Sequence, residues 1–158
     1  MKAIKINNIL FTGKKSFPWK DVEKYLNKYE NMNITVKETG DIIKIGSHFT
    51  DEYCRSTYTM KLHGTLEKAK GNAAQILCEL IESATNRRWV ENKEEKHNND
   101  ASGGWYRYDV YFSMPVVFDG KESWNYYRAV FVARINDRGI YLHDLINIKK
   151  EDSKLFES

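Results

Sequence analysis

The chain has 158 residues, 41% of them hydrophobic, with a formal net charge of +3 and only two cysteines. Such a length suits one domain with its own core, and two cysteines are too few for a disulfide framework or a four-ligand zinc site. No run of about 18 apolar residues and no signal-peptide core occurs, which points to a cytoplasmic protein without a membrane span.

The charge is unevenly placed. Residues 1–60 hold ten Lys/Arg against seven Asp/Glu, whereas 61–100 and 101–158 are balanced at seven each and eight each. No domain-wide positive field announces nucleic acid, so any such contact must be local. Cys54 and Cys78 read as buried thiols; a Cys-His nucleophile would need a base that the sequence does not place beside them.

In chain order, Ala3 to Phe11 reads as a first strand ending at Thr12-Gly13. Ser16 stands as an N-cap, with Pro18 in the first turn and Asp21 and Glu23 suiting the positive helix end. Trp19, Val22, Leu26 and Tyr29 fall at helical spacing, so the pattern predicts an amphipathic helix over Pro18 to Glu30, with Trp19 as a packing residue. Asn33 to Ile45 alternates around Thr39-Gly40 and predicts a hairpin. His48 to Tyr58 shows no clear period and reads as a structured loop able to display binding groups.

Lys61 to Trp89 carries an apolar stripe from Leu62 to Ala84 at intervals of three and four, predicting one long helix or two in sequence. Gly64 and Gly71 are the weak points. Asn86, Arg87 and Arg88 suit the negative helix end. Glu91 to Lys96 is a balanced charge run. From Trp105 the period becomes two, placing Arg107 and Tyr108 on opposite strand faces. Asp119-Gly120 marks a turn; Trp124 to Arg134 and Gly139 to Ile148 complete a meander around Asn136 to Gly139, and Lys149 to Ser158 reads as a frayed tail. Helices followed by antiparallel strands give the α+β class. The chain is one domain: a strand, helix and hairpin extension over 1–45, helices plus meander over 46–150, and a tail over 151–158.

The stretch best equipped for chemistry is Lys96 to Tyr108, KHNNDASGGWYRY, at the junction of the helical and sheet regions. It offers a histidine, an aspartate three positions on, a Gly103-Gly104 pair and an arginine in an aromatic strand. Asn98-Asn99-Asp100 is also ordinary turn chemistry, and Trp105 reads as core or helix packing. Arg107 and Arg128 can equally be solvent-facing residues that discourage edge pairing.

Residues 45–157 resemble a C-terminal domain of large polyvalent proteins of bacteriophages and conjugative elements. The runs that carry the likeness are IGSHFTDEYCRSTYTMKLHGTLEKAKGNAA, ELIESATNRRWVENKEEKHNNDASGGWYRYDVYFSMPV and YLHDLINIKKE. These domains resemble nucleases of the Barnase-EndoU-ColicinE5/D-RelE class. The resemblance implies helices packed on a four-stranded antiparallel meander. The family carries Leu-Tyr-Asp on its last strand where this chain has Leu142-His143-Asp144.

What the resemblance implies is a metal-independent ribonuclease. A base takes the 2′-OH proton, an acid protonates the leaving 5′-oxygen and cations hold the phosphate. Imidazole titrates near neutrality, so His97 is the candidate base or acid, Asp100 its orienting partner and Arg107 a phosphate fork. Ser56, Tyr58, Lys61, Tyr106 and Arg128 are candidate phosphate or nucleotide contacts. His48, His63 and His143 lack the spacing of metal ligands, and neither metal nor cofactor is expected. The expected partner is RNA, for an effector or toxin of a mobile element. The alternative is a non-catalytic phage anti-defence protein, such as one that occupies a CRISPR effector of the host.

Overall fold

The computed structural model describes residues 1–13 and 15–156. The α+β class holds, with all strands in one sheet. The strands are β1 (Ile4–Lys5), β2 (Asn33–Thr35), β3 (Ile42–Lys44), β4 (Thr85–Val90), β5 (Trp105–Phe118), β6 (Lys121–Asn136) and β7 (Gly139–Glu151). The helices are α1 (Trp19–Leu26), α2 (Phe49–Arg55), α3 (Thr57–Met60), α4 (Gly64–Ala73) and α5 (Leu77–Ser83).

Among the described residues the sheet has seven strands, so the expected four-stranded meander does not stand apart from the N-terminal strand and hairpin. Its order is β1-β5-β6-β7-β3-β2, with β4 also on the free edge of β5. Both β1 with β5 and β3 with β7 are parallel, and the remaining pairs are antiparallel. The N-terminal extension is therefore built into the sheet at both of its sides. The physical reason is edge satisfaction: unpaired backbone along β5 and β7 is covered by these short strands.

Period-two alternation in β5 puts Tyr108, Val110, Phe112 and Met114 into the core. They meet β6 in stacked aromatic pairs, Tyr108 on Phe131 at 4.3 Å and Phe112 on Tyr127 at 5.3 Å. Val22 and Leu26 of α1, Phe49 and Tyr53 of α2, and Leu77, Leu80 and Ile81 of α5 belong to the same core. Burying such side chains contributes roughly 1.5–3 kcal/mol each.

Several local expectations are corrected. Only Ile4–Lys5 of the first segment pairs as a strand, because the buried Asn72 amide takes over the backbone beyond it. Asn72 Oδ1 accepts from the N–H groups of Leu10 and Phe11, and its Nδ2 donates to Phe11 O. Pro18 rather than Ser16 precedes the first turn of α1, and the helix tightens to a 3-10 turn at Asn27–Tyr29. Trp19 packs against the core and donates its indole N–H to Glu67. The segment expected as a loop forms α2 and α3, for which Phe49 and Tyr53, four residues apart and both buried, supply the apolar face.

Of the expected one long helix or two in sequence the structure has two, α4 and α5, joined by a 3-10 turn and ending at Ser83. Asn86, Arg87 and Arg88 then lie on β4, where Arg87 pairs with Asp41 and Arg88 with Asp109. Past Gly139 the last strand runs on to Glu151. Phe156 then stacks on Tyr126 at 4.7 Å and 9°, in place of a frayed tail; residues 157–158 lie outside the described residues. No helix among the described residues is long and apolar enough to cross a membrane.

Candidate active-site cleft

A cleft of about 710 Å³ opens between the α2–α3 corner and the segment joining β4 to β5. Its floor is the face of β5, β6 and β7 that carries Trp105, Arg107, Val132 and Ile146. Strand register explains the grouping, since Arg107 lies opposite Val132 and Val132 opposite Asp144. Residues paired across antiparallel strands share a face.

His97 ends a 3-10 turn, Glu95–His97, within the connecting segment. Its Nδ1 lies 3.1 Å from both oxygens of Asp100, and its Nε2 lies 3.5 Å from Glu94 Oε2. A carboxylate accepts only, so a neutral ring protonated on Nδ1 donates to Asp100 and leaves Nε2, on the Glu94 side, as the acceptor. The segment is pinned beyond Asp100. Ala101 is fully buried, Gly103 N–H donates to Ile135 O, and Asn136 Nδ2 donates to Asp100 O. Trp89 donates its indole N–H to Gly103 O.

Arg107 reaches the cleft from β5, and among the described residues no carboxylate pairs with it. Its Nε is buried without a hydrogen-bond partner. A guanidinium left with open donors in a cleft is equipped to fork onto an oxyanion.

Sequence reasoning missed His143. The β6–β7 register shifts between Val132 and Ala133, whose partners are Asp144 and Leu142, so His143 is the extra residue of a bulge. Bulges re-aim a side chain; here the ring meets His97 at 5.5 Å and Trp105 at 4.8 Å, both edge-on. His97 in turn meets Trp105 at 5.1 Å. Burial, then the Arg134 charge and the neighbouring His97, push the His143 imidazole down to about 4. It is neutral at pH 7. Its Nε2 lies 3.5 Å from Glu52, whose carboxyl is raised by burial and by Asp144. The departure from Leu-Tyr-Asp at position 143 was the sequence signal available, but the bulge that gives it meaning is a property of the paired strands.

Trp105, expected as core or helix packing, lies on the floor of the cleft, held by its indole N–H to Asn92 Oδ1 at 3.3 Å. Behind the floor, Lys70 and Asp144 form a buried ion pair at 2.6 Å, and Lys70 Nζ also donates to Thr59 Oγ1 at 2.5 Å. This pair ties α3 and α4 to β7 beside His143.

The structure brings His97, Asp100, Arg107, Ser56 and Tyr58 to one cleft and leaves Lys61, Tyr106 and Arg128 off its lining. Ser56 is already engaged as the cap of α3, accepting from Thr59 N, and Tyr58 Oη accepts from Ile148 N–H. Lys61 is an exposed residue just after α3. Tyr106 packs on the core side under the Arg87 guanidinium, 4.4 Å from its ring centre. Arg128 lies farther along the sheet, 3.5 Å from Glu151.

Among the described residues no group of three or more His, Cys, Asp or Glu is arranged to hold a metal ion. Cys54 is buried, which pushes its thiol up to about 12 and disfavours the thiolate a nucleophile needs. Comparison with protein-family models, curated proteins and solved structures finds no match to this chain.

Proposed function

We propose that this protein is a metal-independent endoribonuclease, an effector of a bacteriophage or other mobile element that acts in the host cytoplasm. The observation that carries the reading is one cleft holding an Asp-oriented imidazole, His97, together with Arg107, a guanidinium without a carboxylate partner among the described residues. The antiparallel run β4-β5-β6-β7 supports the likeness to the nuclease class, with β1, β2 and β3 as additions to that core.

In this mechanism His97 Nε2 takes the proton of a ribose 2′-OH, and Asp100 stabilises the imidazolium that forms. The 2′-oxygen bonds to phosphorus as the bond from phosphorus to the 5′-oxygen breaks. Arg107 holds the phosphate oxygens while negative charge grows on them. The departing 5′-oxygen takes the proton that His97 gained, leaving a 2′,3′-cyclic phosphate and a 5′-hydroxyl. His143 acts by position: its neutral ring packs against His97 without adding a second charge beside the imidazolium. Ser56 and Tyr58 line the wall where the nucleotide rests.

The test is incubation of purified protein with RNA in excess EDTA. The parent protein cleaves, and His97→Ala, with an unchanged circular dichroism spectrum, does not. Equal cleavage by the variant removes His97 from the mechanism, and no cleavage by the parent removes the nuclease reading. The second reading, a non-catalytic anti-defence protein, draws on the β5–β6 hairpin tip, where Val117 and Phe118 are 69% and 77% exposed. Such a tip suits contact with a protein.

A further inference from the structure

We infer that the outer face of β5 and β6 is a track for single-stranded RNA, leading from the cleft at Arg107 to a groove beside the N-terminal segment. The inference takes the strand to be cut in the cleft and rests on that reading for its starting point. Odd-numbered side chains of β5 share one face. Trp105 and Arg107 line the cleft, and Ser113 lines the groove, whose volume is about 510 Å³. Tyr111 stands between them. Strand register extends these rows sideways: Tyr111 lies opposite Arg128 and Arg128 opposite Lys149, while Ser113 lies opposite Tyr126 and Pro115 opposite Trp124. From Arg107 to Ser113 the face runs about 20 Å at ~3.3 Å per residue. Six stacked nucleotides span about that length at ~3.4 Å each along one strand.

The chemistry of the face matches that ligand. Tyr126 and Phe156 form a flat aromatic stack, 4.7 Å apart and 9° from parallel, and Lys5 Nζ sits 5.2 Å over the Trp124 ring. Aromatic faces accept any base, and neighbouring Lys and Arg hold the phosphates. Two carboxylates on this face are engaged, Asp109 by Arg88 at 3.0 Å and Glu151 by Arg128 at 3.5 Å, and Glu122, opposite Val117, lies beyond Trp124 at the hairpin end. Lys2 and Lys5 line or border the groove without a carboxylate partner among the described residues. The groove also reaches a buried polar atom: Ser113 is fully buried and its Oγ has no hydrogen-bond partner among the described residues. Lys2 and Lys5 of the N-terminal segment and Arg128 of β6 thus fall on one surface with a common use.

The experiment is fluorescence anisotropy in EDTA with labelled single-stranded RNA of roughly three and roughly nine nucleotides, using the His97→Ala protein so that the RNA stays whole. The longer strand binds about tenfold or more tighter than the shorter one. The Lys5→Ala/Arg128→Ala double variant lowers the slope of log affinity against log salt by about 1.4, about 0.7 for each phosphate that is no longer neutralised. Phe156→Ala weakens the longer strand about tenfold. A longer strand that binds no tighter, a duplex of equal length that binds as well, or variants that bind like their parent with an intact fold each overturn the track. Cleavage without length dependence removes the track and leaves the cleft reading standing. Length-dependent binding by a protein that cleaves nothing keeps the track and ends the nuclease reading.

Discussion

Replacing Lys70 by methionine tests the frame that holds the cleft. Lys70 is fully buried and Asp144 is 3% exposed, with 2.6 Å between Nζ and Oδ1. Burial pushes the ammonium down and the carboxyl up, and each is opposed by the attraction of the other. Thr59 Oγ1 accepts a further hydrogen bond from Lys70 Nζ, and the Tyr53 and Tyr58 rings lie 4.7 Å and 5.2 Å from Nζ. Lys70→Met leaves the Asp144 carboxylate unpaired in this setting, which costs about 3–5 kcal/mol. With a urea slope of about 2 kcal/mol per molar for a domain of this size, the unfolding midpoint falls by roughly 1.5–2.5 M. Asp144→Asn keeps the acceptor for Leu145 N–H and removes the charge. The Lys70→Met/Asp144→Asn double variant is therefore less destabilised than the two single variants taken together, by about 2 kcal/mol. Urea titrations followed by circular dichroism give all four stabilities. A destabilisation below about 1 kcal/mol in Lys70→Met, or strict additivity in the double variant, refutes the argument.

Arg107→Lys keeps the charge and removes the fork, so RNA cleavage falls at least about tenfold; equal rates refute a bidentate role. His143 gives a pH signature. Its folded form titrates near 4 and the unfolded residue near 6.5, so between those values the unfolded chain binds a proton that the native state refuses. The stability is present above about 6.5 and is lost as pH falls through 4, by roughly 3 kcal/mol. A His143→Phe variant lacks that component, and a wild-type-minus-variant stability difference constant from pH 7 to 4.5 contradicts it. Gly104→Ala is destabilising by about 1–3 kcal/mol in thermal melts. The backbone there has φ +87°, and a Cβ would stand 2.7 Å from Val90 O; an unchanged melting temperature counts against this.

Much of the architecture was legible because the period of the sequence is a local property. Alternation from Trp105 onward predicted β5 and the opposite faces of Arg107 and Tyr108, and the stripe before it predicted the α4–α5 region. Asp119-Gly120 predicted a turn that both residues enter with positive φ, 53° and 73°. His97, Asp100 and Arg107 could be singled out because each bears chemistry in a short polar-to-aromatic stretch. Lys61 and Tyr106 were singled out by residue type alone, and the fold places them elsewhere.

Periodicity and turn chemistry act over a few residues, so the sequence by itself determined the α+β class, the long hairpin strands and the polar segment that bears His97. Tertiary structure alone decided the rest. Pairing of Ile4–Lys5 with β5 and of β3 with β7 depends on which edges remain open once the long strands have assembled. The bulge that turns His143 toward His97 arises from a register mismatch between β6 and β7, and Lys70 meets Asp144 across 74 residues of chain. Register and burial are relations between distant segments, settled by which arrangement removes apolar surface from water and leaves the fewest polar groups unpaired.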